Sequence, residues 1–154
     1  MSTGTPEERL DGLGLSVPEV AKPVADYIPA VRSGSHVFTS GQLPLRSGEL
    51  LTTGKVGAGV TPEQAAECAR QCTLNAIAAV RAEVGDLSAV TRVVKVVVFV
   101  ASAPDFTGQP GVANGASELL GQAFGDAGKH ARSAVGVAVL PLDAPVEVEL
   151  VVEV

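Results

Sequence analysis

Aromatic residues are scarce in this chain: four Phe, one Tyr and no Trp, 3% of 154 residues. A core cannot then rest on rings. It has to be assembled from Val, Ala and Leu, which suits a hydrophobic share of 46%. Cysteine is nearly absent, with Cys68 and Cys72 the only two. Spaced four apart they share one helix face, a poor geometry for a disulfide. His36 and His130 lie on distant segments, so no four-ligand zinc set is at hand. Both cysteines read as small helix-packing residues. Basic residues are few, eleven against seventeen acidic, for a net charge of −6. No two are adjacent and none form a stripe, which argues against a nucleic-acid site that works by neutralising phosphates and leaves room only for a local basic pocket. Long apolar runs are also missing. Val93 to Ala101, broken by Lys95, and Ser133 to Leu142 are too short to cross a bilayer. The first twenty residues carry Glu7, Glu8, Asp11 and Glu19, the opposite of a secretory leader. The expectation is a cytoplasmic protein with no membrane partner.

What is present fits one domain over residues 1–154, with residues 1–25 as an N-terminal helical extension. No internal repeat or low-complexity linker interrupts it. "TPEERLDGLG" predicts a short helix capped by Thr5, with Pro6 in the first position and Gly12 or Gly14 at the end. "AVRSGSHVFTSGQLPL" predicts a hairpin, one strand ending near Val31 and a second from His36 to Ser40. Val37 and Thr39 would face one way, His36 and Phe38 the other. Pro44 confines the next segment to an edge or loop, and "RSGELLTTGKVGAGV" is a Gly-rich connection.

"VTPEQAAECARQCTLNAIAAVRAEVGDL" is the clearest helix. Thr61 caps it, Gln64 completes a capping box, and Gly85 stops it. Its apolar face runs through Ala66, Ala69, Thr73, Leu74, Ile77, Val80 and Val84. So many alanines imply close packing. Val93 to Val100 predicts a fully buried central strand. A second long helix is expected from about Gly111 to Gly125, with Val112, Leu119, Leu120 and Phe124 inward. Strands Ser133–Leu140 and Val146–Val154 close the chain. The order β-β-α-β-α-β-β reads as an α+β mixed sheet with two helices on one face. The other face has no cover within the chain. A Val-rich face left wet would expose a patch of many hundreds of Å², so an oligomer is expected, a symmetric ring being the natural closure.

"VFTSGQLP", "VVKVVVFVASAPDF" and above all "ARSAVGVAVLPLDAPVEVELVVEV" resemble the RidA/YjgF family, also labelled endoribonuclease L-PSP. The resemblance runs from about Tyr27 to Val154. It implies a chorismate-mutase-like fold and a homotrimer with three clefts between subunits. In that family the activity is hydrolysis of enamine or imine intermediates such as 2-aminoacrylate, giving a 2-keto acid and ammonia. No metal or organic cofactor is implied.

The resemblance also assigns roles. Arg132 would grip the substrate carboxylate, a task suited to a planar guanidinium fork. Glu147, fifteen residues later, would position or deprotonate the attacking water. Tyr27 would bind water or the imine nitrogen. Ser40 and Gly41 would offer backbone groups to the ligand, and Asn114 would match the family asparagine on the second long helix. Two positions depart from the pattern: Ala134 stands where a cysteine is frequent, and Gly136 where an acid is frequent. His130 reads as a loop residue beside the cleft. Alternation in "VEVELVVEV" puts Glu147, Glu149 and Glu153 on one face, the latter two as solvated charges. Taken as an antiparallel hairpin through "PLDAP", the last two strands would hold Arg132 and Glu147 on the order of 20 Å apart, so a shared site would need two subunits. The leading expectation is a 2-iminobutanoate/2-iminopropanoate deaminase-like hydrolase. The alternatives are an endoribonuclease and a non-catalytic trimer that binds small carboxylic acids.

Overall fold

The computed structural model describes residues 4–22 and 25–154. Residues 1–3, 23 and 24 of the expected N-terminal extension lie outside the described residues. Helix α1 spans Pro6–Gly12. Thr5 and Glu8 form a capping box at its start, and Leu10 is fully buried. Strands β1 (Ala30–Ser33) and β2 (His36–Thr39) make the expected hairpin. Val37 and Thr39 are buried and Phe38 is exposed. The Gly-rich connection holds a small ribbon, β3 (Leu45–Arg46) paired with β4 (Glu49–Leu50). Helix α2 (Pro62–Val84) carries the Thr61–Gln64 capping box, a device that contributes on the order of 1 kcal/mol. Strand β5 (Arg92–Ala101), helix α3 (Gln109–Phe124), strand β6 (Ala131–Val137) and strand β7 (Val146–Glu153) complete the fold.

The main sheet runs in the order β1-β2-β7-β5-β6. Helices α2 and α3 cover one face, where Val96, Val98, Val100, Val148, Leu150 and Val152 meet Ile77, Leu119 and Leu120. Every position of α2 from Gln71 to Val80 is buried. Close approach of the helices depends on Gly115: a methyl group there would sit 2.9 Å from the Ala66 carbonyl carbon. The alanine-rich pattern therefore reports helix–helix contact as well as helix–sheet contact. Cys68 and Cys72 are buried in the same core. Burial pushes the Cys68 thiol up to about 11 and raises Cys72 further above its ordinary value. Neither is a thiolate nucleophile.

Two expectations need correction. The last two strands are not a hairpin. β6 runs parallel to β5, β7 runs antiparallel to it, and β5 lies between them. The connection crosses the end of β5 because Leu142 and Asp143 adopt positive φ, 58° and 59°, which turns the chain sideways instead of back. The strand Val93–Val100 is also not buried on both faces. Lys95, Val97 and Phe99 are only partly covered, because they point away from the helices. Val31, Phe38 and Val135 share this open face and are 49%, 44% and 42% exposed. Covering what remains open on each would contribute about half of the roughly 1.5–3 kcal/mol that full burial of such a side chain gives.

Candidate functional site

The expected site residues fall into two groups on different parts of the sheet. The first gathers around the loop after β2. Glu147 starts the open-face series of β7, paired with Phe99. The loop crosses it because Gln42 and Val148 exchange backbone hydrogen bonds of 2.8 and 3.0 Å. That crossing lays the Gly41 Cα against the Glu147 carboxyl group. A methyl group at position 41 would lie 2.7 Å from the Glu147 Cδ, so only glycine leaves the carboxylate in place. The Gly41 amide and carbonyl have no backbone partner among the described residues and remain available to a ligand. Tyr27 and Gly41 line one small pocket, and Tyr27 is 43% exposed. The Ser40 hydroxyl donates to the Ile28 carbonyl at 2.6 Å, and its amide donates to the Pro29 carbonyl. Ser40 thus shapes the loop that carries Tyr27, and its donors are committed there.

Glu147 is half-buried. Burial raises its pKa above the usual carboxylate value, and the neighbouring Glu149 carboxylate adds to the rise. A carboxylate moved in this direction is a better proton acceptor than an exposed one.

The second group centres on Arg132, on the edge strand β6. Its register partner Val96 faces the helices, so the guanidinium leans toward α3. There Nη1 donates to the Asn114 Oδ1 at 2.8 Å and to the Ser117 Oγ at 3.3 Å. The rest of the chain of contacts has only one polarity. The Gly128 carbonyl lies 2.6 Å from the His130 Nδ1, and a carbonyl only accepts, so Nδ1 carries the proton. In the tautomer protonated at Nδ1, Nε2 is bare and accepts from the Ser117 hydroxyl at 2.8 Å. Ser117 keeps its lone pairs for Arg132. Nη1 is engaged on both hydrogens, and the Nη2–Nε edge is left to form two parallel bonds to a carboxylate.

Ser117 belongs to no motif that the sequence displays. The one signal available is its spacing of three from Asn114, which puts both on one helix face. His130 is more than a loop residue, since it holds Ser117. Ala134 is partly buried against the core. Gly136 would, with a side chain, crowd Gln109 Nε2 at 2.9 Å.

The two groups do not meet within one chain. Arg132 is level with Val96 and Glu147 with Phe99, three positions apart along β5 and on opposite sides of it. Three rises and two strand spacings give about 14 Å between backbones, which replaces the hairpin estimate. The side chains also leave the sheet by opposite faces. The open apolar face is the one on which Glu147 lies.

Comparison with known proteins identifies the family and the fold. The family model described as "YjgF/chorismate mutase-like, putative endoribonuclease" matches residues 7–154. Protein TCP17 of Trypanosoma cruzi is 44% identical over 154 residues, covering 99% of this chain and 96% of its own length. A 2-iminobutanoate/2-iminopropanoate deaminase of Dermatophagoides farinae is 33% identical over 140 residues, 90% of this chain and 93% of its own. A crystal structure from Shewanella oneidensis MR-1, bearing the same endoribonuclease label, is 36% identical. It superposes with a TM-score of 0.95 over 98% of this chain and 100% of that one. With its order of elements, its mixed sheet and a family match along nearly its whole length, this chain belongs to the RidA/YjgF family.

Proposed function

We propose that the protein is an imine hydrolase whose sites form between the subunits of a homotrimer. Arg132 comes from one subunit, and Glu147 with Tyr27 from the next. The observation that carries the reading is the division of the site into two half-sites on opposite faces of one sheet, the Glu147 face being apolar and in need of a cover. A surface patch that meets a different patch on an identical chain closes into a ring when the rotation allows. Such a contact joins the two half-sites and buries Val31, Phe38 and Val135 together.

The chemistry follows from the groups. A 2-aminoacrylate-like enamine takes a proton from solvent at its terminal carbon and becomes the protonated imine, whose carbon is the electrophile. Its carboxylate lies on the Nη2–Nε edge of Arg132. Water adds to the imine carbon while its proton passes to Glu147, and Tyr27 orients the water or the imine nitrogen. The carbinolamine then collapses: Glu147 returns the proton to nitrogen, the C–N bond breaks as the hydroxyl proton passes back to the Glu147 carboxylate and the C=O bond forms, and the products are a 2-keto acid and ammonia, which takes up that proton. Two facts support the proton acceptor: the absence of a side chain at Gly41 leaves room for the Glu147 carboxyl group, and burial raises its pKa.

Arg132→Ala is expected to abolish turnover of 2-aminoacrylate while size-exclusion chromatography still shows the assembly. Unchanged turnover in that variant would sink the reading. Some relatives carry an endoribonuclease name. That activity is tested by assaying RNA cleavage with the wild type beside Arg132→Ala, where loss in the variant would favour it over the imine reaction.

A further inference from the structure

A second polar construction lies beside the Tyr27–Gly41 pocket, with neither Arg132 nor Glu147 in its lining. The segment Gly14–Lys22 forms one wall of a groove of about 940 Å³, and the β3–β4 ribbon and α2 form the other. The N-terminal wall is anchored. Leu10 is fully buried, Leu15 and Val17 pack on the core, and Arg81 Nη2 donates to the Val17 carbonyl at 3.4 Å. Two buried amides reach the groove, Asn75 at 4% and Gln71 at 7% exposure.

Their orientation is forced. The Asn75 Nδ2 donates to the Leu43 and Leu45 carbonyls at 3.0 and 2.9 Å, so its Oδ1 is the free acceptor. The Gln71 Nε2 donates to that oxygen at 3.1 Å. The Gln71 Oε1 is then an acceptor turned toward the groove, and Arg46 Nε donates to it at 3.2 Å. The guanidinium is thereby held at the groove wall with its Nη groups uncommitted. Among the described residues Arg46 and Lys22 have no carboxylate within ion-pair distance. Both line the groove, against one acid, Glu19. Leu15, Val20, Leu45, Leu74 and Leu142 supply apolar lining. A pre-oriented planar fork beside apolar walls suits an anion that carries a hydrocarbon body.

We propose that this groove binds a small aliphatic carboxylate, with Arg46 on the carboxylate and the leucines on the chain. It contains neither Arg132 nor Glu147, and it adjoins the Tyr27–Gly41 pocket through Ala21, Lys22 and Leu45. The binding does not depend on the imine reaction, so it is read without turnover.

The test is a heteronuclear NMR titration of the full chain with sodium octanoate, and separately with n-octanol and with inorganic phosphate. Octanoate is expected to saturate, with shifts centred on Leu45, Ser47 and Leu74. Octanol and phosphate should each bind at least about tenfold more weakly, since each lacks half of the ligand. Arg46→Met, which keeps the apolar stem, should weaken octanoate by about tenfold or more. Should that variant fold poorly because Gln71 loses its donor, the octanoate–octanol comparison on the wild type carries the same decision. Equal affinity for octanoate and octanol, or no saturation by about 10 mM octanoate, overturns the proposal.

Discussion

Arg132 and Glu147 flank β5 from opposite sides. Arg132 on β6 pairs with Val96, Glu147 on β7 pairs with Phe99, and their side chains leave by opposite faces of the sheet. Each has its own support: Asn114 and Ser117 for the arginine, Gly41 for the glutamate. Neither support reaches the other.

The support of Arg132 predicts a particular kinetic signature. Ser117→Ala or His130→Ala leaves the guanidinium held by Asn114 alone and less tightly oriented, so ground-state grip on the carboxylate should suffer most. KM for 2-aminoacrylate is expected to rise about tenfold with kcat changed less than about twofold. His130→Gln should recover much of the loss, since its amide oxygen can accept from Ser117. A purely structural role would lower the melting temperature in all three variants without moving KM.

A second prediction concerns pH. The Glu149 carboxylate is one of the two causes that raise the Glu147 pKa, burial being the larger. If Glu147 must be ionised to accept a proton, kcat/KM falls on the acid side as it becomes protonated, at a pH above the usual carboxylate range. Glu149→Gln removes one cause. The acid limb is then expected to move to lower pH and activity in mild acid to rise. A shift toward higher pH would contradict the assignment of the base.

Gly41 offers a steric test. Gly41→Ala places a methyl group against the Glu147 carboxyl at a position where backbone φ is not positive, so the strain is local to that contact. Moving the base by about 1 Å is expected to cost on the order of 100-fold in kcat. The loss should occur with an unchanged far-ultraviolet circular dichroism spectrum. Wild-type kcat would show that the contact does not matter to the reaction.

Legibility in the sequence varies by residue. Thr61–Gln64 and Thr5–Glu8 announce their helices, because a capping box is a local device and needs no tertiary partner. The alternation of β7 puts its glutamates on one face, as observed, with Val146, Val148 and Val152 on the other; Val151 shares the glutamate face. The path from β6 to β7 is where the sequence misleads, because a short turn between two apolar strands has two outcomes. Whether the chain doubles back or steps across a third strand depends here on the positive φ of Leu142 and Asp143. No residue type there signals it. Arg132 and Glu147 stand out through family spacing. Ser117 does not, since its role exists only once α3 packs beside β6. Gln71 and Asn75 sit within the predicted helix as polar residues of no evident purpose. Their meaning comes from the carbonyls of Leu43 and Leu45, which the fold brings to the Asn75 amide.

The shared site is tested most directly by mixing two inactive variants. Arg132→Ala and Glu147→Gln each remove one half-site from every subunit. Co-refolded in equal amounts, their mixed assemblies contain junctions where an intact arginine from one chain faces an intact glutamate from the next. Random mixing makes about one quarter of all junctions complete, so the mixture is predicted to recover about a quarter of wild-type turnover although neither parent turns over 2-aminoacrylate. A mixture as inactive as its parents, with mixed assembly verified by mass spectrometry, would contradict the account.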